Sequence, residues 1–154
     1  VAVPHRAVVN CFHAFHALLD IDQDQEWLAL TSIGFDIAAL ELLLPLTLGA
    51  RVRITSLDRI VGPGGMCAVP IDAPIVQTTP YNWDLILRSG SLPPGAKALC
   101  GGEALPRRLA QQLARSTPAA WNVYGPTETT IWSTAWRIDS DRVTIGQPIL
   151  NTSL

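Results

Sequence analysis

Apolar and polar positions along this chain follow two periods, and the elements they predict alternate. Val8, Phe12, Phe15 and Leu19 recur every three or four residues, which predicts a helix from Pro4 to Leu19 with proline in its first turn. The acidic, glutamine-rich stretch Asp20 to Glu26 reads as a surface loop, and Trp27 to Leu30 as a short buried strand. Ile37 to Leu48 is apolar almost throughout, interrupted at Pro45 and stopped at Gly49, and predicts a helix packed on two sides. Arg51 to Ile54 alternates as a strand. Beyond it, Pro74 to Thr78, Ala96 to Cys100 and Ala120 to Val123 read as strands. Tyr81 to Arg88 and Pro106 to Arg115 read as helices, the second with Leu109 and Leu113 on one face. Ile131 to Arg137 and Val143 to Ile149 add two strands split by the polar turn Asp139-Ser140-Asp141. Such alternation predicts an α/β fold, a mostly parallel sheet with helices on both faces joined by right-handed crossovers.

One connection breaks the pattern. Between Arg53 and Pro74 the chain offers Ser56-Leu57-Asp58-Arg59 and then Gly62-Pro63-Gly64-Gly65, which interrupts any helix where parallel strands usually need a helical crossover. A long irregular loop inside a compact domain is unusual, so residues 58–74 are expected to be either a divergent loop or a locally misread reading frame. Independent resequencing of the encoding DNA separates the two.

Composition narrows the class. With 154 residues, 48% of them apolar, the chain is long enough for one cored domain. A formal charge of −2 with scattered basic residues leaves no footprint for nucleic acid or an anionic membrane. Cys11, Cys67 and Cys100 form no C-x-x-C pair, which argues for a reducing, cytoplasmic setting and against a disulfide framework or a zinc site. His13 and His16 lie three apart with no further ligand at matching spacing, and are read as solvated helix residues. No apolar run of about eighteen residues and no secretory leader is visible. Because the chain starts at Val1 and its pattern is still running at Asn151 to Leu154, it is expected to be an internal piece of a longer polypeptide.

Chemistry concentrates after the predicted strand Ala120 to Val123. The apolar run Ala119 to Val123 ends at Gly125-Pro126, where a free residue is followed by one of fixed φ, and the polar loop Thr127-Glu128-Thr129-Thr130 follows. Ligands of open parallel sheets sit beyond the carboxyl ends of strands. Thr127 and Glu128 suit a hydrated magnesium and phosphate oxygens, and Tyr124 offers a flat face to a base. The same residues also suit an ordinary strand-to-helix turn in which Thr and Glu cap a helix. Asp36 is likewise placed to cap the helix that begins at Ile37.

Three strings go further. Asn122 to Thr130 (NVYGPTETT), Gly34 to Glu41 (GFDIAALE) and Cys100 to Leu105 (CGGEAL) resemble, in order, signatures of the adenylate-forming enzymes, and specifically the adenylation domains of nonribosomal peptide synthetases. The similarity spans nearly the whole chain and is weakest from about Asp58 to Pro74, where the family has a helix. It implies residues 1–154 of the large N-terminal subdomain of an AMP-binding adenylation domain. Such domains use ATP and Mg²⁺ to make an aminoacyl adenylate, release pyrophosphate, and pass the acyl group to a phosphopantetheine thiol on a carrier domain.

Carried over by this resemblance, Glu128 matches the magnesium-linked acid and Thr127 the phosphate contact. Tyr124 matches the ring that stacks on adenine, Asn122 the side chain near the adenine amine, and Gly101 and Gly102 the small residues that let backbone approach the base. Asp36 matches the acid that pairs with the substrate's α-ammonium group, a role compatible with capping. The pocket walls are implied to be Asp36, Ile37, Leu40, Gln77, Leu99, Gly101, Val123, Ile131 and Trp132. Their bulk, the indole and the lack of a second charge imply glycine, with alanine next. Carrier and condensation domains of the same synthetase are the implied partners, with neither nucleic acid nor membrane among them.

The family's phosphate loop, ribose-binding aspartate and C-terminal catalytic lysine have no counterpart here, and Lys97, the chain's single lysine, does not match the last. The isolated chain is therefore expected to be inactive. An acyl-CoA synthetase or aryl-acid ligase is the alternative within the superfamily, and an acid lacking an α-amine gives no reason for Asp36. A nucleotide-binding module without catalysis is the alternative outside it. A dehydrogenase-type dinucleotide domain is disfavoured, since no G-x-G-x-x-G follows a strand.

Overall fold

The computed structural model describes residues 1–62, 74–90, 92, 94–139 and 142–154. Seven strands form one sheet in the order β2-β1-β3-β4-β5-β6-β7. They are β1 Glu26–Ala29, β2 Arg51–Ile54, β3 Ile75–Thr78, β4 Lys97–Gly101, β5 Ala119–Tyr124, β6 Thr134–Arg137 and β7 Gln147–Pro148. The first five pair in parallel, while β6 runs antiparallel to β5 and β7 antiparallel to β6. The helices are α1 His5–Leu19, α2 Ala38–Thr47, α3 Leu57–Val61, α4 Pro80–Ser89 and α5 Arg107–Ser116. The fold is thus α/β, a mostly parallel sheet with helices, as the pattern predicts.

Alternation along the strands sorts side chains into two cores. Leu28, Val76, Ala98, Cys100 and Ala120 join Ile60, Trp83, Ile86, Leu109 and Leu113, residues of α3, α4 and α5. Trp27, Ile75, Leu99, Trp121 and Val123 join Cys11, Phe15, Leu19, Leu40 and Leu44, residues of α1 and α2. Neighbouring registered residues in a sheet share a face, so Gln77, Leu99 and Trp121, and after them Gly101 and Val123, line up under α1 and α2. Lys97, on the same face, donates to the carbonyls of Leu19 at 2.5 Å and Asp20 at 3.0 Å, satisfying the open C-terminus of α1.

Several expectations change. Helix α3 occupies part of the connection read as irregular, and β2 and β3 flank β1 rather than pairing. The crossover therefore spans two strand positions. Residues 63–73, where the frame question mainly falls, lie outside the described residues, as do Ser140 and Asp141 of the polar turn. The last two strands are shorter than predicted; β6 starts late because Thr130 (φ 72°) and Ile131 (φ 66°) hold left-handed backbone that no strand allows. Among the described residues no helix is long and apolar enough to cross a membrane.

Candidate functional site

The carboxyl ends of β4 and β5 lie side by side in parallel register, Gly101 opposite Val123, and the chain leaves both at once. Between them opens a cavity of about 530 Å³. Gly102 to Leu105 after β4 form one wall, Asn122 to Pro126 the second, and Val143 to Ile145, from the segment before β7, the third. Its position follows from topology, since strand ends that diverge into loops leave a crevice.

Asn122 is buried on β5, and its Nδ2 donates to the Thr144 carbonyl at 2.7 Å. That bond leaves Oδ1 as the acceptor end of the amide. Tyr124, half exposed, closes the strand and lines the same cavity. Gly102 also lines it. Gly101 is needed for a different approach: a Cβ there would come within 2.5 Å of the Val123 carbonyl oxygen and 2.6 Å of Trp132 Cη2, so its bare backbone makes room for the indole.

Past Gly125-Pro126, residues Thr127–Thr129 form a single 3₁₀ turn and cap no α-helix. The capping reading of this loop is therefore not what the chain adopts. Thr129 Oγ1 bonds the Pro126 carbonyl at 3.0 Å and Ser133 Oγ at 2.5 Å, closing the turn on itself. Thr127 and Glu128 stay exposed. Among the described residues no group of three His, Cys, Asp or Glu side chains is placed to hold a metal ion, and His13 and His16 are exposed on α1.

Folding back against Gly125, where a Cβ would lie 2.5 Å from Trp132 Cα, the next residues send Trp132 into the α1/α2 core. The indole is 1% exposed. Its Nε1 donates to Gln77 Oε1 at 2.8 Å, while Gln77 Nε2 donates to the Ile37 carbonyl and to Glu41 Oε1, each at 2.9 Å. Leu40, Leu99, Val123, Ile131 and Trp132 pack in one cluster with Ile37 against it. Eight of the nine residues named as pocket walls are thus gathered in one place, with Asp36 next in sequence to Ile37, and Val123 and Trp132 also line the cavity.

Asp36 does not cap α2. Ile37 occupies the N-cap position in helical conformation with no side-chain bond, and Asp36 Oδ2 is buried without a hydrogen-bond partner among the described residues. Its charge reaches Cys11, whose thiol also meets the Trp132 backbone.

Sequence reasoning missed three groups: Glu103 to Leu105 and Val143 to Ile145 of the cavity, and Glu41, which anchors Gln77. The first and last lie inside the family-like strings. Val143 to Ile145 carry no local signal, since only the turn back from β6 brings them to β5.

Comparisons with known proteins identify the family. The family model described as AMP-binding enzyme matches residues 1–154. The chain is 36% identical over its whole length to the dimodular nonribosomal peptide synthase of Bacillus subtilis (strain 168), and 34% to the PKS-NRPS hybrid synthetase ATPKS of Aspergillus niger. It spans 7% and 9% of those relatives. Among solved structures, 96% of the chain superposes at TM-score 0.84 and 36% identity on 12% of a four-domain nonribosomal peptide synthetase bound to AMP and glycine. The synthetase FmoA3 shares the fold at TM-score 0.85 and 22% identity, over 98% of this chain and 18% of its own. The chain belongs to the AMP-binding enzyme family, and its similarity within that family is to nonribosomal peptide synthetases.

Proposed function

We propose that this chain forms the substrate-facing core of an amino-acid-activating adenylation domain in a nonribosomal peptide synthetase, and that the amino acid is glycine. One observation carries the amino-acid assignment: Asp36 Oδ2 is buried with no hydrogen-bond partner among the described residues, next to the residue whose carbonyl Gln77 holds. A buried carboxylate calls for a counter-charge, and an α-ammonium group is one. Neither an aryl acid nor a fatty acid supplies it.

The size of the site follows from Trp132. The indole is packed against Gly101 and bonded to Gln77, so it fills volume that a side chain would need. The similarity to a synthetase bound to AMP and glycine supports the same choice, with alanine the nearest competitor.

In the reaction, a carboxylate oxygen of the amino acid attacks the α-phosphorus of ATP and pyrophosphate leaves. Asp36 would orient the amine, Tyr124 would stack on adenine, and Asn122 Oδ1 would accept from its amino group. Gly102 would give the base room. Thr127 would contact phosphate, and Glu128 would offer its carboxylate to Mg²⁺, which takes one or two carboxylates and shares the remaining positions with phosphate oxygens and water. Bound there, the ion supplies neutralising charge. The aminoacyl group then passes to a carrier domain's phosphopantetheine. Free thiols at Cys11 and Cys100 suit a reducing cytoplasm.

The test is amino-acid-dependent ATP–pyrophosphate exchange by the complete synthetase over a panel of amino acids. Preference for glycine is expected. Preference for an aromatic or charged amino acid overturns the glycine assignment, and inertness with every amino acid overturns the adenylation reading.

A further inference from the structure

We propose that Glu41 is a positioning residue for amino-acid selectivity: its buried carboxylate, together with the Ile37 carbonyl, sets which way the Gln77 amide faces and, through Gln77, holds the Trp132 indole in place as the pocket's inner wall. The identity of that wall rests on the function proposed above; the linkage rests on the geometry.

Glu41 projects from α2 and is 0% exposed. Its Oε2 accepts the backbone N–H groups of Leu30 at 2.8 Å and Thr31 at 3.0 Å, where the chain leaves β1. Its Oε1 accepts Thr31 Oγ1 at 2.5 Å and Gln77 Nε2 at 2.9 Å. Four donors occupy the acceptor sites of an ionised carboxylate, which has no proton to give. Burial raises the Glu41 carboxyl above its ordinary value, and the four donors oppose that rise.

The consequence runs outward from Glu41. Because the carboxylate and the Ile37 carbonyl both accept only, Gln77 turns its NH₂ toward the two of them, at 2.9 Å each. The Gln77 carbonyl is then left facing the other way, toward Trp132 Nε1 at 2.8 Å, a group that donates and never accepts. A reversed amide would set NH₂ against the indole N–H and a carbonyl against the carboxylate. The order Glu41, Gln77, Trp132 therefore has a single polarity, and all three side chains are buried. At its far end stands Trp132 Cη2, 2.6 Å from where a Cβ on Gly101 would be.

The experiment uses the complete synthetase. Glu41→Gln keeps the shape but puts a donor in place of one acceptor, leaving the Ile37 carbonyl as the remaining acceptor for the Gln77 NH₂. The ratio of kcat/KM for alanine over glycine is read in the wild type, Glu41→Gln, Trp132→Ala and the double variant. We expect the ratio to rise about tenfold in Glu41→Gln, the scale of one methylene in an apolar pocket, with KM for ATP unchanged. Trp132→Ala should raise it as well, and adding Glu41→Gln to Trp132→Ala should change it no further. An unchanged ratio, or an equal rise in the Trp132→Ala background, overturns the proposal.

If Glu41→Gln does not fold, Thr31→Val takes its place in the cycle, with a smaller rise supporting the proposal and no rise overturning it. Should the wild type prefer another amino acid, the ratio is taken between that amino acid and its next longer homologue, so a wrong glycine assignment leaves the linkage testable. A readout independent of activity is proton exchange at the Trp132 indole, followed in nitrogen-15 tryptophan-labelled protein. Glu41→Gln should accelerate it about tenfold or more, as expected when a buried bond is loosened, and unchanged exchange counts against the linkage even in an enzyme inert toward every amino acid.

Discussion

The two sides of strands β4 and β5 are built on different terms. Under α1 and α2, Glu41, Gln77 and the Trp132 indole are buried, and their polar atoms bond to one another, to the Thr31 hydroxyl and to protein backbone. At the carboxyl edge, Tyr124, Thr127 and Glu128 stand exposed around a cavity and a turn that bonds mainly to itself. Buried networks with every partner inside the protein are rigid and intolerant of change, whereas exposed groups contribute little to stability. Selectivity here would then be a property of the core, and chemistry a property of surface groups that acquire partners when substrates arrive. Substitutions on the first side should disturb folding and selectivity together, and those on the second should disturb activity alone.

Asp36 sits between the two sides and is expected to give the largest effect. In the complete synthetase, Asp36→Asn should cost about 3–5 kcal/mol in kcat/KM for the α-amino acid, since a bound ammonium would be left uncompensated. A variant that still prefers α-amino over desamino acids by the wild-type margin would remove Asp36 from the site. Glu128→Gln tests the exposed side. Turnover should fall about a hundredfold, the scale of one lost charge-stabilising group, with the KM for the amino acid and the thermal midpoint unchanged. A shifted midpoint with normal turnover would invert the comparison.

Gly101→Ala probes the buried side. The added methyl would meet the Val123 carbonyl oxygen, which cannot swing away, and an indole held at its Nε1. Overpacking of this kind costs about 1–3 kcal/mol, so denaturant unfolding should shift and glycine activation should fall together. A loss of activity at full stability would mean that the wall is softer than its bonds imply.

Much of this is legible in the sequence because period and punctuation suffice for it. Helix α1 begins one residue after Pro4, β2 has the predicted bounds, and the turn at Gly125-Pro126 is where the apolar run stops. The loop at Ser56 hides α3, since a five-residue helix is too short to show a period. The stretch from Ile131 reads as a longer strand than it forms because Ile131 is apolar and β-branched, yet its backbone sits at φ 66°, against its local preference. Glu41 lies within a family-like string that gives it no role: its partners are the backbone of Leu30 and the backbone and hydroxyl of Thr31, ten or eleven residues away, and Gln77, thirty-six away. Single-residue roles that depend on such long-range bonds leave no pattern for periodicity to detect.

The smallest expected effect concerns Cys11, which joins the two sides. It lies on α1, packs in the core with Trp132 and lines a second cavity with Arg6, Asn10, Thr129 and Thr130. Burial pushes its thiol up to about 12, the Asp36 charge adds to the rise, and the Trp132 backbone opposes it. A raised thiol value means that the protonated form persists through neutral pH, so the reactive thiolate is scarce. In the folded synthetase at pH 8, in a Cys67→Ser background, alkylation of Cys11 should run about a thousandfold slower than for a free thiol, despite its place beside a cavity. Cys100, raised by burial and then by Glu103, should behave likewise. Asp36→Asn removes one cause of the rise at Cys11 alone. Because the Asp36 charge is the smaller contributor beside burial, Cys11 alkylation should quicken by less than about tenfold, while Cys100 does not change. Site-resolved mass spectrometry of alkylated peptides measures both, and an equal acceleration at the two cysteines would indicate general loosening of the fold instead of a local charge effect.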